Sequence, residues 1–562
     1  MTTTRTSADH LAPLVLVMFA GAALWYAHAL AWDLGGRSPI LSYDSAQYAL
    51  AAREFAWHGR LATPFALPVD LASHPSPPWP LSALQPGLVL AEAFIFKLVP
   101  MRGANVGSDP RAWLTLIPAF VSFLMLAAGA VLGMRHLLIR YAPEAPRWVR
   151  FGAPLTLGLM VVLDPEAQHF AVSGLTELPF TVLLMGALFG LARGAGAEVP
   201  LVFGLLLGVG GLFRANMLWL APLFALTAAW AAPADRRARV VALVLAGYAL
   251  PMAPWWVYKW RAFGSPAWDL TRFVVWDQVE GRSWFQLFHS AELPELPRGG
   301  EAVRLLADKL RGNLARLGPS LLEGPRGLWF GALVAWLFTR PRRTLAAAGL
   351  VALAGLAMNL AAACLSIPWL RYVFPTRLLA EAAGLLALWS LIGRLPGASE
   401  RVRRSLAVAA AVVALAWGAW LSVLAHGEAR ATSLERGVPS SRTLTALSIA
   451  LNTTLSPGEP VMSNLGPALA WQTNHPVIHL AHSPADVSAC RRRHDFRHIL
   501  LVFRGAERAW PYWQESVERP GTAATIEALH VVRERRFRTG DGFDVVWLEL
   551  GPRSASLASA VR

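Results

Sequence analysis

Long apolar stretches alternate with short polar segments along most of this chain. Four of them, at 10–32, 112–134, 344–370 and 406–425, each contain at least 20 residues and no Asp, Glu, Lys or Arg. An α-helix of about 20 apolar residues is long enough to cross the roughly 30 Å hydrocarbon core of a membrane. These four stretches therefore predict four membrane-spanning helices.

Seven shorter apolar stretches are separated by arginine-rich or by proline- and glycine-rich segments; they lie at 151–163, 178–192, 200–213, 215–231, 240–257, 327–339 and 373–393. Together the stretches predict a polytopic, mainly α bundle of about eleven spans. A cleaved signal peptide is the alternative for the first stretch. A retained span is favoured, because the start is not strongly basic and 27–29 is a weak cleavage match.

Composition and charge support a membrane protein. The chain has 55% hydrophobic and 15% charged residues, and its mean hydropathy is +0.42, which excludes an ordinary soluble globular protein. Much of the formal net charge of +15 comes from arginines in alternate loops, at 135–150, 193, 236–239, 340–343 and 394–404. The positive-inside rule then places the N-terminus in the cytoplasm and segments 33–111, 164–177 and 258–325 outside. The charge reflects topology, so we predict no nucleic-acid partner.

The segment after about 426 changes character. Helix-like patterns (SRTLTALSIALNTTL, LGPALAWQT, SPADVSACRRR) alternate with strand-like ones (PVMSN, HPVIHL, FRHILLVF), and the last part predicts a hairpin that turns at 540–542. This alternation favours a mostly parallel sheet with an antiparallel edge. We therefore predict two domains: a transmembrane catalytic domain at 1–425, with outward loops 33–111 and 258–325, and a small extracytoplasmic α/β domain at 426–562.

Two carboxylates fall where apolar stretches give way to the predicted outer side. Asp44 follows the first stretch, and Glu177 precedes the stretch at 178–192. An ionisable group at the edge of the hydrocarbon is costly unless it is used or paired, so both are functional candidates. Helix capping is the alternative for each, since Asp44-Ser45-Ala46-Gln47 fits a capping box and Thr176 adjoins Glu177.

Cations collect at the same side. Arg214 lies between two apolar stretches, Lys259 and Arg261 end another, and Arg371 and Tyr372 stand in a short outward turn. Some of these side chains are alternatively lipid anchors beside Trp and Tyr, and Arg377 and Glu381, four residues apart, can satisfy each other. Arginines next to carboxylates suit a site that holds a lipid phosphate and deprotonates a neighbouring hydroxyl.

The order of several short motifs resembles that of the GT-C glycosyltransferases. These are DSAQY after the first stretch, QPGL, SGLTELPF, GLLLGVGGLFRANML, PWWVYKWRAFG and LRYVFPTRLLAEAAGLLAL. Among them, the chain looks like the bacterial family related to protein O-mannosyltransferases and to the lipid A aminoarabinose transferase. It departs from many of these relatives in having Asp44-Ser45 where they have Asp-Glu, and Gln85-Pro86-Gly87 where they have Pro-Pro.

The resemblance implies a glycosyltransferase of the bacterial plasma membrane that takes a hexosyl or pentosyl group from a polyprenyl-phosphate donor at the outer face. It implies that Asp44, in the motif closed by Tyr48, is the catalytic base, that Glu177 is a second acidic position, and that Arg371 and Tyr372 lie near the donor phosphate. The acceptor hydroxyl belongs to a glycan, a glycolipid or a protein.

The residues fit such chemistry independently of the resemblance. The departing phosphate needs cations, which Arg214, Lys259, Arg261 or Arg371 can supply, and one carboxylate suffices as base for a single displacement with inversion. A divalent metal ion is an open alternative, with His74 and His169 as its candidate ligands. A polysaccharide ligase or polymerase and a transporter of lipid-linked substrates are the competing classes; a transporter tends to show internal repeats and charges near the midplane.

Overall fold

The structure is a computed structural model in which residues 43–99, 110–433, 439–504, 512–513 and 529–552 are described, together with positions 18, 21, 22 and 25. The predicted first span therefore lies almost entirely outside the described residues. The described part of the chain folds into two compact units. The first unit takes in the described parts of 1–35, 118–258 and 308–433, and the second takes in those of 36–117, 259–307 and 434–562.

Helices make up most of the structure, and we number them in chain order. They are α1 (Tyr43–His58), α2 (Pro86–Leu98), α3 (Ile117–Tyr141), α4 (Arg147–Leu163), α5 (Pro165–Ala171), α6 (Glu177–Arg193), α7 (Ala195–Glu198), α8 (Pro200–Phe213), α9 (Met217–Ala231), α10 (Arg237–Phe263), α11 (Trp284–Phe288), α12 (Gly299–Leu321), α13 (Arg326–Phe338), α14 (Arg343–Leu365), α15 (Phe374–Gly393), α16 (Glu400–Ser433), α17 (Ser441–Thr454), α18 (Gly466–Gln472) and α19 (Pro484–Arg493).

The strands have two residues each between positions 62 and 80 and three to eight residues each after position 460. They are β1 (Ala62–Thr63), β2 (Phe65–Ala66), β3 (Trp79–Pro80), β4 (Val461–Ser463), β5 (Val477–His479), β6 (His498–Phe503), β7 (Val531–Arg538) and β8 (Asp544–Leu550). Strands β1 and β3 form an antiparallel pair, and the other six strands form one sheet.

The first unit is a bundle of apolar helices. Five segments among the described residues are long and apolar enough to cross a membrane: Trp113–Tyr141, Ala234–Phe263, Arg343–Leu365, Phe374–Gly393 and Glu400–Ala425. Four shorter helices are also apolar, namely Trp148–Leu163, Pro200–Phe213, Met217–Ala231 and Arg326–Phe338. The mainly α membrane fold is thus confirmed, while the count of eleven spans stays a prediction.

Glycines allow two helices of this bundle to cross in direct backbone contact. A Cβ atom at Gly204 of α8 would collide with the carbonyl oxygen of Val244 in α10, and one at Gly247 would collide with that of Leu201. A Cβ at Gly208 would stand 2.5 Å from the Tyr248 carbonyl oxygen. Small residues at such spacing let membrane helices approach closely where no hydrophobic effect drives them together. The glycine-rich GLLLGVGG motif is therefore a packing surface that fixes the helix ending at Arg214.

The second unit contains the six-stranded sheet, in the order β2-β5-β4-β6-β8-β7. The first four strands of that order pair in parallel, with Phe65 opposite Val477 and Val461 opposite both Val477 and His498. Strands β6, β8 and β7 pair antiparallel, and the β7–β8 hairpin turns at the predicted glycine-rich position, where Gly542 has φ +87°. A mostly parallel sheet with an antiparallel edge agrees with the sequence pattern of the tail.

The division between the units differs from the predicted boundary at 425. Strand β2, from segment 33–111, forms an edge of the sheet, and Arg53 of α1 donates hydrogen bonds to the Trp471 and Ala470 carbonyl oxygens at 3.2 and 3.3 Å. The Arg53 guanidinium also lies 5.1 Å from the Trp471 ring centroid. The predicted outward loops therefore contribute to the same unit as the tail, because the sheet and α18 need them to complete their packing.

Candidate functional site

A buried ion pair of the first unit lies where α6 begins and α8 ends. Glu177 begins α6, Arg214 follows the end of α8, and their side chains meet at 2.9 Å with 3% and 10% of their surfaces exposed. Arg214 also donates to the Thr176 hydroxyl at 3.4 Å. Breaking a buried pair leaves an uncompensated charge, so the two side chains hold each other in place. Two residues singled out from sequence are thus brought together.

Aromatic rings hold a second cation of the same unit. In the turn between α14 and α15, the rings of Trp369 and Tyr372 stack with an interplanar angle of 2° and centroids 6.2 Å apart. The Arg371 guanidinium lies 5.3 Å from the first centroid and 5.0 Å from the second, and it donates to the Tyr372 hydroxyl at 3.5 Å. Arg214 stands 5.8 Å from the Tyr372 ring. Cation–π contacts orient these guanidinium groups, so Tyr372 joins the two arginines.

An asparagine inside the bundle connects the two segments that carry these cations. The Asn359 side-chain oxygen in α14 accepts from the Asn216 amide and from the Trp219 indole, each at 3.1 Å. Its amide donates to the Thr376 hydroxyl at 3.1 Å, and Asn359 is only 1% exposed. Asn216 lies two residues after Arg214, and Thr376 opens α15 after the Arg371 turn. Asn359 therefore ties the Arg214 segment to the start of α15.

Arg377 is the centre of a larger ion network that the sequence did not reveal. Its guanidinium contacts Asp164 at 2.9 Å, Glu166 at 3.1 Å and Glu381 at 2.8 Å, and Arg326 contacts Glu381 at 2.9 Å. The expected pairing of Arg377 with Glu381 is present, but it is one of three. With three carboxylates around it, Arg377 serves to join α5, α13 and α15.

Asp164 and Glu166 have local roles as well. Asp164 caps α5 by accepting from the Ala167 backbone amide at 2.9 Å. Burial raises the pKa of Glu166, and the Arg377 charge opposes that shift, although about a third of the Glu166 side chain stays exposed. Both residues lie in the LDPEAQHF segment that contains the candidate histidine His169, which is exposed with its ring 5.5 Å from that of Phe170.

In the second unit, Asp44 lies in the first turn of α1. A carboxylate there faces the positive end of the helix dipole. Tyr48 stands one turn further on and is partly buried, whereas the neighbouring Tyr43 packs edge-on to Phe65 and to His479, with centroids 5.9 and 5.3 Å away. Burial, with the nearby charge of Asp44, raises the pKa of Tyr43. The tyrosine beside Asp44 therefore stays protonated at neutral pH.

Lys259 and Arg261 also belong to the second unit. The Lys259 ammonium contacts Asp269 at 3.0 Å, and the Gln85 amide donates to the same carboxylate at 3.2 Å. Only 6% of the Lys259 side chain is exposed, whereas Arg261 is exposed at the end of α10. Gln85 thus takes part in a polar cluster that holds Lys259.

Two buried histidines adjoin Tyr43. The His289 and His479 rings lie 4.6 Å apart, and the His289 Nδ1 is 2.7 Å from the Leu480 carbonyl oxygen. Burial lowers the pKa of His289 to about 4 and that of His479 well below its ordinary value. Both rings are therefore neutral at physiological pH. Gly466 makes room for His479, because a Cβ there would collide with the ring, and its φ is +50°.

The candidate metal ligands are not assembled into a site by the described residues. His74 packs edge-on to Phe263 at 5.2 Å, and burial lowers its pKa. Within the described ranges, no group of three or more His, Cys, Asp or Glu side chains is placed to hold a metal ion. His74 and His169 lie in different units. The candidate residues thus fall into a cluster of Glu177, Arg214, Arg371 and Tyr372 in the first unit, and into Asp44 with Tyr48 and Lys259 with Arg261 in the second.

Comparison with solved structures defines the fold. The chain has the fold of the GT-C glycosyltransferases. It matches ArnT from Cupriavidus metallidurans bound to undecaprenyl phosphate, with a TM-score of 0.53 and 14% sequence identity over 96% of this chain and 99% of that one. The apo state of that ArnT matches with a TM-score of 0.52 and 14% identity over 97% and 100% of the chains.

A third structure, the arabinofuranosyltransferase AftD from Mycobacteria, matches at a TM-score of 0.35 and 13% identity over 92% of this chain and 40% of that one. No protein-family model and no curated protein matches the sequence. The two ArnT matches confirm the expected GT-C-like fold.

Proposed function

We propose that this protein is an integral-membrane glycosyltransferase that moves a sugar from a polyprenyl-phosphate donor to an acceptor hydroxyl. The observation that carries the proposal is the fold shared with ArnT over nearly the whole of both chains, since one of those ArnT structures holds undecaprenyl phosphate. The clustered arginines of the first unit add chemistry that suits a lipid phosphate.

The phosphate-binding role is proposed first for Arg371, Arg214 and Tyr372. Arg371 lies beside the Trp369 and Tyr372 rings, yet it is partly exposed, so its fork can reach a phosphate oxygen. Arg214 is buried against Glu177, and the Tyr372 ring contacts both cations. Lys259 and Arg261 are proposed as secondary contacts, because Asp269 already neutralises Lys259.

Asp44 is proposed as the catalytic base. The acceptor oxygen attacks the anomeric carbon, its proton passes to the Asp44 carboxylate, and the bond from that carbon to the phosphate oxygen breaks, so polyprenyl phosphate leaves with the bonding electrons. One displacement of this kind inverts the anomeric configuration. Glu177 is proposed to act through Arg214, which it orients, and Tyr48 to lie on the substrate side of α1.

Location and partners follow from the same proposal. We propose that the N-terminus lies in the cytoplasm and the second unit outside the bacterial plasma membrane, because arginine-rich loops favour the cytoplasmic side. The acceptor is a glycan, a glycolipid or a protein, and a hexosyl or pentosyl group is transferred. The proposal leaves a divalent metal ion open, so the assay is run with and without one.

The first experiment measures sugar transfer by purified full-length protein from a panel of polyprenyl-phosphate sugars. Asp44→Asn should abolish turnover while donor binding persists, and Arg371→Gln should weaken donor binding. Asp235→Asn is the matched control, because Asp235 is exposed in a loop of the first unit. Full activity of Asp44→Asn would refute the base assignment. Movement of a lipid-linked substrate across vesicles without transfer would favour the transporter class, and transfer of whole glycan chains would favour the ligase.

A further inference from the structure

A large apolar cavity lies in the first unit and extends along α15 from Leu378, next to Arg377, to Arg394 at the other end of that helix. Its volume is about 650 Å³, and its walls come from α3, α4, α6, α13, α14, α15 and α16. This volume lies within the range of about 300–1,000 Å³ typical of small-molecule sites. The lining residue Arg394 follows the end of α15, whereas Arg377 lies in the first turn of that helix. At 1.5 Å per residue the two ends are roughly 25 Å apart.

Cations form one end of this cavity. Arg342, Arg394 and Arg403 line it, and among the residues that the structure describes Glu400 is the one acidic residue in the lining. That carboxylate is already engaged, since it accepts from the Trp148 indole at 3.0 Å. Arg342 lies 5.2 Å from the Tyr141 ring centroid, so it is held by an aromatic face. The charged end of the cavity is therefore net positive, beside walls that are almost wholly apolar.

Two buried donors in the lining have no acceptor among the residues that the structure describes. These are the Trp389 Nε1 and the Arg403 Nε, although another nitrogen of Arg403 donates to the Leu395 carbonyl oxygen at 2.9 Å. A buried donor left without a partner carries a desolvation penalty, so such groups are normally satisfied. Arginines that only set the orientation of the protein in the membrane would not need buried hydrogen-bond donors without acceptors.

We propose that this cavity binds one acyl chain of an anionic glycerophospholipid from the leaflet opposite the proposed catalytic side. The chain occupies the apolar walls, and the phosphate lies at Arg394 and Arg403, where ester or phosphate oxygens accept from the two unused donors. The positive end selects an anionic over a zwitterionic headgroup, because a basic pocket at the cytoplasmic surface attracts anionic lipid. This binding site is independent of the proposed transfer reaction.

The test uses full-length protein in nanodiscs with photoreactive phosphatidylglycerol or phosphatidylcholine, each carrying the same diazirine acyl chain at equal mole fraction. Adducts are mapped by peptide mass spectrometry. We expect phosphatidylglycerol to label peptides from 126–161 and 378–394 at least fivefold more than phosphatidylcholine does. Equal labelling by the two lipids, or no adducts in these peptides, would overturn the proposal.

Two variants localise the effect. Arg403→Gln should reduce the phosphatidylglycerol signal to that of phosphatidylcholine, whereas Arg236→Gln, at an exposed site 72% accessible, should leave it unchanged. Ala383→Trp narrows the cavity and should remove the adducts; if this variant fails to fold, Arg403→Gln alone decides. Undiminished labelling in Arg403→Gln contradicts the headgroup assignment, and displacement by equimolar undecaprenyl phosphate would show an isoprenoid occupant instead.

Discussion

Replacing Asn359 by leucine should weaken donor binding without any change at a residue that contacts the donor. The substitution removes three hydrogen bonds of 3.1 Å, to Asn216, Trp219 and Thr376. It leaves two donors and one hydroxyl acceptor without their partner, although Thr376 keeps its donation to the Val373 carbonyl oxygen. The segments that carry Arg214 and Arg371 would then lose their shared anchor.

The size of the effect follows from the membrane environment. Hydrogen bonds between membrane helices contribute about 0.6 kcal/mol each on average, so three give about 2 kcal/mol. That is less than the sum expected for fully buried donors in a soluble core, at about 1–3 kcal/mol each. If all of it served to position the phosphate-binding side chains, the dissociation constant of the donor would rise by at most about 30-fold, since 1.4 kcal/mol is a factor of ten.

The assay is equilibrium binding of a polyprenyl-phosphate sugar, combined with turnover at saturating donor. Asn359→Leu should raise the dissociation constant and leave kcat nearly unchanged. Leu356→Ala, a buried apolar residue one turn earlier in α14, is the control, because it should destabilise the bundle by about 2–5 kcal/mol through a cavity. An unchanged dissociation constant in Asn359→Leu, or an equal rise in Leu356→Ala, would refute the positioning role.

Three further outcomes are expected. Arg377→Met should destabilise the first unit by about 3–5 kcal/mol, because three carboxylates lose their shared cation. The control is Arg311→Met, which removes an exposed ion pair with Asp308 and should change the thermal unfolding temperature little. The free energy of unfolding of the second unit should fall as pH drops from about 6.5 toward 4, because unfolding lets His289, whose folded pKa is about 4, take up a proton. In His289→Gln the free energy of unfolding should depend less on pH over this range, and an unchanged pH dependence would contradict the prediction. Glu92→Gln should stabilise the protein more at pH 8 than at pH 5. Burial raises the pKa of Glu92 in α2, so folding at pH 8 requires the uptake of a proton by a carboxylate that is ionised in the unfolded chain. Equal shifts of the melting temperature at both pH values would argue against this prediction.

Local patterns predicted much of the tail and of the bundle. The structure has helices at Ser441–Thr454, Gly466–Gln472 and Pro484–Arg493, where the sequence has helical periodicity, and its hairpin turns at 540–542. These features depend on neighbouring residues alone: capping by Ser483, for example, uses the amide three positions later. Elements of this kind are readable because their determinants are close in sequence.

Features that depend on distant partners could not be read in this way. Strand β2 has two residues, which is too short for a sequence pattern, and it is a strand because it pairs with Val477 and Ile478. The contact of Arg377 with Asp164 spans 213 positions, so the nearer Glu381 was the only partner that spacing suggested. Asn359 did leave a signal, since a lone amide inside a long apolar stretch is costly unless it is bonded.

The long separation between β2 and its partner strand has a consequence for biosynthesis. Phe65 leaves the ribosome about 400 residues before Val477, opposite which it lies in the sheet. At about 5–20 residues per second, strand β2 therefore waits roughly 20–80 s for the strand with which it pairs. During that interval its edge groups and the Arg53 side chain lack their native acceptors. A chain that stops before Val477 therefore leaves strand β2 without the strand that it pairs with in the sheet.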